Sequence, residues 1–278
     1  MTRYPMPDYS VDELNRQYDN TSSAEAVKAL KELRALSARC RSAIPLRPGQ
    51  YGPGELETFD AFVPDVKNAP GIVFVHGGQW RLNTTIETSF WAEAAATRGF
   101  ALFVINYPKV PQVRIRDQAD CVNAAYAFIT REAEAIGVDP QRLFLAGHSS
   151  GAHLAALAMA RPIATAARMP KGLLLLSGMY DLEPVRLSSR NATLQLSPAE
   201  AREASPVWRL PKDFPPTLIA AGSGETQEFI RQSQLLHEAM DPRGGHRFAL
   251  LKDDTHFTTP LDLYRSDSNA WKFIDTIC

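Results

Sequence analysis

The sequence predicts an α/β fold in which a mostly parallel central sheet is covered by helices on both faces. Continuous apolar runs of strand length recur along the chain, at residues 71–76, 100–105, 143–146, 172–176, 217–221 and 248–251. Helical patterns separate several of these runs, and such alternation is typical of a parallel sheet. Because the runs lack the polar alternation of a half-exposed strand, we expect these strands to be buried on both faces.

The bulk composition narrows the class of protein. The chain has 278 residues with no segment typical of a linker, so we expect one domain, residues 1–278. The formal net charge of −1 argues against nucleic acid as a partner. The amino terminus lacks an apolar export signal, and no apolar run is long enough to span a bilayer. We expect a soluble, cytoplasmic protein with a small-molecule substrate and no membrane partner, while a homodimer stays open.

Cysteines and histidines give no sign of a metal site. Cys40, Cys121 and Cys278 are far apart and odd in number, which provides neither a disulfide framework nor a C-x-x-C metal motif. His148 and His153 are better explained by packing or pocket lining, and no H-E-x-x-H motif is present. The sequence therefore predicts no metal and no cofactor.

A helical leader is predicted over about residues 10–42. Ser22 and Glu25 have the Ser-x-x-Glu spacing of a capping box, and apolar residues follow at helical spacing to about Ala38. Prolines and glycines then interrupt the chain. Residues 55–63 are interpreted as an edge strand that ends at a proline.

A Gly-x-Ser-x-Gly motif follows the predicted strand at 143–146. The strand continues into Gly147-His148-Ser149-Ser150-Gly151, and an Ala- and Leu-rich helix comes next. A sharp strand-to-helix turn of this kind presents a serine hydroxyl as a nucleophile, and the glycines leave room that a Cβ would fill. We therefore interpret Ser149 as the nucleophile of an enzyme.

A serine nucleophile needs a histidine that takes its proton and an acid that orients this histidine, in the chain order serine, acid, histidine. Three histidines follow Ser149 at a sufficient distance. His237 falls on a predicted helix and His246 begins a strand, whereas His256 lies in a turn beyond the last strand. We interpret His256 as the base.

Glu225 is the predicted acid, because it follows a buried strand and a tight turn. Asp181 follows the preceding strand and is the alternative. Asp253 and Asp254 stand too close in sequence to His256 to be preferred. Each carboxylate has a further explanation as a helix cap or a solvated side chain.

The predicted strand at 71–76 leads into His76-Gly77-Gly78-Gln79, and a glycine loop in this place can supply N–H groups to an oxyanion. We expect the backbone N–H groups of Gly77 and Gly78, with that of Ser150 after the nucleophile, to form the oxyanion hole. His76 is interpreted as an anchor of the loop.

The strand pattern lapses after Asp181, where prolines recur. Residues of about 181–210 are therefore interpreted as a cap-like insertion of short helices and loops over the site.

Several segments together resemble the kynurenine formamidase (arylformamidase) branch of the α/β-hydrolase fold, which is related to hormone-sensitive-lipase-like esterases. These segments are His76–Trp80, Gly147–Leu154, Glu225–Ser233 and Asp254–Phe257, with a similar leader at Leu14–Asn20 and Tyr51–Gly52. The resemblance implies that Ser149, Glu225 and His256 are nucleophile, acid and base. Two positions depart from the pattern: the acid is usually aspartate, and the residue after His-Gly-Gly, here Gln79, is commonly aromatic.

We expect hydrolysis through an acyl-enzyme, and the resemblance implies an N-formyl arylamide such as N-formylkynurenine, with release of formate. Gln79 adjoins the oxyanion loop, while Trp80, Tyr107 and Tyr180 are candidates to line an aromatic pocket or, alternatively, ordinary core residues. A small ester or another amide is the alternative substrate. A non-catalytic protein that binds small molecules on the same fold is the second class of function.

Overall fold

The computed structural model describes residues 3–161, 168–240, 242 and 244–278. The described residues form an eight-stranded sheet in the order β1-β2-β4-β3-β5-β6-β7-β8. The strands are β1 Leu46–Gln50, β2 Thr58–Phe62, β3 Ala69–Val75, β4 Ala101–Ile105, β5 Val138–His148, β6 Leu173–Leu176, β7 Thr217–Gly222 and β8 His246–Leu251. Strands β3 to β8 pair in parallel, and only the contacts of β2 with β1 and β4 are antiparallel.

Helices cover both faces of this sheet, as the alternating pattern predicts. They are α1 Val11–Tyr18, α2 Ala24–Ala43, α3 Thr85–Thr88, α4 Ala92–Thr97, α5 Ile115–Glu132, α6 Ser150–Met159, α7 Glu183–Leu187, α8 Asn191–Leu194, α9 Pro198–Glu203, α10 Gln227–Met240 and α11 Asn269–Ile277. Side chains of one strand alternate between the two faces: Val73 and Val75 belong to one apolar cluster, Ile72 and Phe74 to the other. The predicted fold class is confirmed.

All the predicted apolar runs form strands, but they differ in burial. Every residue of β3, β4, β6 and β7 is buried. Strand β8 departs from the expectation of two buried faces, since it ends the sheet and leaves Leu250 exposed. Because β8 is the last strand of the sheet, it has a neighbouring strand on one side only, so fewer side chains are available to bury its own.

The prediction of an edge strand over residues 55–63 is wrong. The strand is the shorter β2, and it lies between β1 and β4. Strand β1 forms the edge although it contains Pro48 and Gly49, which the sequence suggested as breaks. An edge strand tolerates a proline. The Phe59 ring packs where a Cβ of residue 49 would lie, 2.2 Å from its nearest atom, so the glycine makes room for the ring.

The leader is helical, but the predicted capping box at Ser22 is wrong. Ser23 is the N-cap of α2, and its hydroxyl accepts the N–H of Ala26 at 3.1 Å. The helix continues past Ala38 to Ala43 because nothing interrupts it before Pro45. None of the helices in the described ranges is long and apolar enough to cross a membrane.

Candidate active site

The turn between β5 and α6 holds Ser149 in a strained conformation, with φ 56° and ψ −124°. A Cβ at Gly151 would lie 2.0 Å from the Val75 carbonyl oxygen, and a Cβ at Gly147 would lie 2.4 Å from that of Gly151. Any side chain at these positions would therefore push the helix away from the sheet. The two glycines make the turn sharp enough to present Ser149 at the carboxyl edge of the sheet.

The structure brings together the three side chains predicted as nucleophile, base and acid. His256 Nε2 lies 2.9 Å from Ser149 Oγ, and His256 Nδ1 lies 2.7 Å from Glu225 Oε2. All three residues are buried, with at most 8% of their surface exposed. This geometry allows the imidazole to accept the serine proton while the carboxylate fixes its tautomer.

Glu225 is fixed by two further hydrogen bonds to its other carboxylate oxygen. The Ser177 hydroxyl donates to Oε1 at 2.6 Å, and the Gly222 N–H donates at 2.7 Å. Asp181, the alternative acid, lies elsewhere: its carboxylate accepts the N–H of Glu183 at 3.1 Å, and burial raises its pKa. Glu225 is thus the carboxylate that contacts His256.

The loop after β8 approaches β7 closely enough for His256 to meet Glu225. A Cβ at Gly222 would lie 2.2 Å from the Asp254 carbonyl oxygen, so a glycine permits this approach. Asp254 forms an ion pair with Arg265, and its carboxylate also accepts the Thr258 hydroxyl at 2.9 Å. These contacts hold the loop that carries His256.

His148 lies in the cavity beside Ser149 and contacts the same loop. Its Nε2 lies 2.7 Å from the carbonyl oxygen of His256. Burial, with the nearby His256 as a smaller cause, lowers the pKa of His148 to about 3. The neutral imidazole therefore donates to that carbonyl and holds the backbone of His256.

We call the turn between β5 and α6 that carries Ser149 the elbow. The glycine loop after β3 lies directly against it. A Cβ at Gly77 would lie 2.8 Å from the carbonyl oxygen of His148 and 3.0 Å from Ser149 Cβ. Among the described residues, no protein acceptor is found for the N–H groups of Gly77, Gly78 or Ser150. These donors are therefore available to an oxyanion formed on a carbonyl that Ser149 attacks.

Trp80 anchors the end of this loop. Its backbone N–H donates to Ser150 Oγ at 3.2 Å, and its indole N–H donates to His153 Nδ1 at 3.0 Å. His153 Nε2 in turn lies 2.7 Å from the Ala204 carbonyl oxygen, and burial lowers the pKa of His153 to about 4. The neutral imidazole thus accepts from Trp80 and donates to Ala204.

His76 anchors the start of the loop, as its position suggested. The Tyr107 hydroxyl donates to the His76 carbonyl oxygen at 2.6 Å, and Lys109 Nζ lies 3.1 Å from His76 Nε2. Burial first, and the Lys109 charge second, lower the pKa of His76 to about 3. Burial lowers the pKa of Lys109 to about 7. Lys109 was not predicted from the sequence because it belongs to none of the motifs.

A cavity of about 110 Å³, open to solvent, lies at Ser149. We call it the Ser149 cavity. Its floor is formed by the glycine loop, by the elbow and by the loop after β8 that carries His256. The lining residues from these segments are Gly77, Gly78, Gln79, His148, Ser149, His256 and Phe257. Its roof comes from the leader: Asn20, Thr21, Leu30, Leu33 and Arg34. The leader was predicted from the sequence, but none of its residues was predicted to belong to the site.

Two predictions about the cavity walls are corrected by this geometry. Gln79 lines the Ser149 cavity, but Trp80, Tyr107 and Tyr180 do not, because all three are completely buried core residues. The segment 181–210 forms short helices, yet none of its residues lines this cavity. The segment 181–210 and the leader instead both line a second cavity, which Gln79 and Thr21 also line.

Solved structures of esterases share this architecture. A protein from Silicibacter sp. TM1040, provisionally assigned as a thioesterase, is 26% identical, with a TM-score of 0.82 over 95% of this chain and 99% of that one. A hyperthermophilic esterase from the archaeon Pyrobaculum calidifontis is 17% identical, with a TM-score of 0.74 over 92% and 93%. The chain is a serine hydrolase of the α/β-hydrolase fold rather than the non-catalytic alternative.

Curated relatives confirm the resemblance to kynurenine formamidases. The kynurenine formamidase of Salmo salar is 26% identical, with 94% of each chain covered, and that of Drosophila melanogaster is 28% identical, with 82% and 80% covered. The isoprenylcysteine alpha-carbonyl methylesterase of Arabidopsis thaliana is 31% identical over 39% of this chain and 26% of its own. The BD-FAE family model matches residues 59–165, from β2 past the elbow.

Proposed function

We propose that this hydrolase cleaves N-formyl arylamides of the N-formylkynurenine type, releasing formate and an aryl amine. The observation that carries the proposal is the contact of Ser149, His256 and Glu225 at a cavity open to solvent, in a chain similar to kynurenine formamidases along most of its length.

The first half of the proposed reaction forms a formyl-enzyme. Ser149 Oγ attacks the formyl carbon while its proton passes to His256 Nε2. The carbonyl oxygen becomes an oxyanion and accepts from the N–H groups of Gly77, Gly78 and Ser150. When the C–N bond breaks, His256 gives the proton to the departing nitrogen, and the aryl amine leaves.

The second half releases formate. Water attacks the formyl ester as His256 Nε2 takes its proton, and the same N–H groups hold the second oxyanion. Collapse of this intermediate breaks the bond to Ser149 Oγ, which regains a proton from His256. Glu225 orients the imidazole throughout.

A carboxylesterase is the second candidate function, and the methylesterase and esterase relatives favour it. The same groups would act on an ester, since the mechanism needs only an acyl carbonyl and a leaving group. The two candidates differ in the bond that is cleaved.

A comparison of two substrate classes tests the proposal. Formate release from N-formylkynurenine is measured beside hydrolysis of short nitrophenyl esters, with Ser149→Ala as the blank for both. We expect a higher kcat/KM for the formamide. A large preference for the esters in kcat/KM would replace the proposal with the carboxylesterase.

A further inference from the structure

A second cavity adjoins the Ser149 cavity and carries an excess of positive charge. It is lined by Asn15, Tyr18, Asp19, Thr21, Gln79, Trp80, Arg81, Ser189, Arg190, Thr193 and Leu194. We call it the Arg190 cavity. Arg81 and Arg190 are its only cations and Asp19 its only carboxylate within the described lining, so one positive charge stays uncompensated.

Neither guanidinium has a carboxylate partner among the described residues. Arg190 is half-buried, donates to the Tyr18 carbonyl oxygen and, at 3.7 Å, to Met179 Sδ, and lies 5.1 Å from the centre of the Tyr18 ring. Within the described part of the chain, Arg81 donates only to Gln79 Oε1, at 3.3 Å. Most of the five N–H donors of each guanidinium therefore remain for a ligand.

The two cations also repel each other. Burial lowers the pKa of Arg190 to about 10, and the charge of Arg81 acts in the same direction. Asp19 acts in the opposite direction, but one carboxylate cannot balance two cations, and a bound anion would recover the remaining cost in free energy. A carboxylate suits this place because its two oxygens match the planar fork of a guanidinium.

The Ser149 and Arg190 cavities share two lining residues, Thr21 and Gln79. The two cavities therefore adjoin at these side chains, and a substrate that occupies both would have its carbonyl at Ser149 and another part in the Arg190 cavity. Under the proposed function the acyl group is formyl, which is too small to reach that far. Whatever enters the Arg190 cavity must then belong to the leaving group.

We propose that the Arg190 cavity binds a carboxylate on the leaving group of the substrate, with Arg81 and Arg190 as its ligands. This inference rests on the proposed function for the choice of leaving group over acyl group. It makes the enzyme selective for anionic aryl formamides over neutral ones. Gln79, between the cavities, separates the bond to be cleaved from the anionic end.

A matched pair of substrates tests the carboxylate site: a formanilide with a carboxylate on a short ortho side arm, and its methyl ester. The ratio of their kcat/KM values is measured for the wild-type enzyme, Arg81→Gln and Arg190→Gln. We expect a ratio of about ten- to a hundred-fold in favour of the carboxylate in the wild type, because hydrogen bonds to charged groups are worth that much. The ratio should fall towards one in each variant.

Arg47→Gln is the control, because this exposed arginine lies on the edge strand β1 and lines neither cavity. It should keep the wild-type ratio. Equal kcat/KM values for the pair in the wild type, or a ratio that both cavity variants retain, would overturn the site. An equal fall in Arg47→Gln would assign the preference to overall charge and overturn it too. If Arg190→Gln does not fold, the exposed Arg81 decides.

Failure of the proposed function can be told apart from failure of the site. If no formanilide is cleaved, the same pair is made as phenyl acetates whose phenol carries the side arm. A preference for the carboxylate that depends on Arg81 and Arg190 would then retain the site in an esterase. No preference in that pair would reject the site as well.

Discussion

The floor and the roof of the Ser149 cavity are held in place differently. The floor is fixed by buried backbone contacts, such as the approach of Gly151 to Val75, which leave no space for a Cβ. The roof comes from a distant part of the chain and includes the exposed side chains of Thr21 and Arg34. The difference teaches that chemistry and cavity shape are separable here: substitutions in the roof should alter selectivity at small cost to the fold.

Removal of the nucleophile should have the largest effect of any change in the floor. Ser149→Ala leaves His256 without a proton donor, so we expect kcat to fall by about 10⁶-fold. Rate measurements on the best substrate check this, together with loss of labelling by an organophosphonate. Ser42→Ala, on an exposed face of α2, should keep both. Unchanged turnover in Ser149→Ala would show that another residue is the nucleophile.

Two buried carboxylates near the start of α10 allow a sharper comparison within one region. Glu225→Gln should lower kcat by about 10⁴-fold, because the amide cannot hold the imidazole in the required tautomer and charge. Glu228 lies three residues on and pairs with Arg231 at 2.6 Å instead. Glu228→Gln should keep kcat but lower the free energy of unfolding by about 3 kcal/mol. A loss of kcat in Glu228→Gln together with an unchanged kcat in Glu225→Gln would show that Glu228, and not Glu225, orients His256.

Acid should lower the stability of the fold through the buried imidazole of His153, which holds Trp80 at the end of the glycine loop. Burial lowers the pKa of His153 to about 4, so below its ordinary value of 6.5 the unfolded chain binds a proton that the folded chain refuses. Stability is therefore highest above pH 6.5 and falls as pH drops from there towards about 4. For His153 alone, the loss by pH 5 is about 2 kcal/mol.

Urea unfolding between pH 7.5 and pH 5 checks this pH dependence. His153→Gln removes the titrating group while its amide can still accept from Trp80 and donate to Ala204. This variant should lose less stability than the wild type on acidification. An equal loss in both would mean that His153 binds its proton in the folded state.

The smallest effect is expected in the roof. Leu30→Ala widens the Ser149 cavity, so it should change the kcat/KM ratio of a bulky to a small substrate by less than about ten-fold. Val27→Ala, on the same helix but exposed and outside the cavity, should leave the ratio unchanged. A large loss of activity on both substrates in Leu30→Ala would show that the roof also positions the floor.

The parts that the sequence predicted well are those with local constraints. A continuous apolar run predicts a buried strand, and the glycines around Ser149 predict a tight turn, because each pattern acts within a few residues. The contact of Glu225 with His256 followed from chain order and from the place of each residue after a strand. The sequence could not reveal that Gly222 lets the two loops meet, since that approach depends on packing between strands.

The missed parts depend on contacts between distant segments. The sequence shows that Trp80, Tyr107 and Tyr180 are aromatic, but only the folded chain shows that all three are completely buried and that none lines the Ser149 cavity. The Arg190 cavity arises where the leader meets residues 189–194, and the roof of the Ser149 cavity arises where the leader meets the glycine loop and the turn at Ser149; no local pattern encodes either meeting. Strand β1 was missed because its proline and glycine resemble a break unless the strand is known to be an edge.

The glycine loop of the floor has a consequence for ligand affinity. Gly78, Gln79 and Trp80 have positive φ angles of 130°, 54° and 61°, a costly run for two residues that carry side chains. The buried Trp80 and its hydrogen bonds offset that cost when the protein folds. The N–H groups are thus ordered before any ligand arrives, so a tetrahedral inhibitor should bind without an entropy penalty from this loop. Backbone order parameters of the loop measured by NMR should then be nearly equal with and without such an inhibitor.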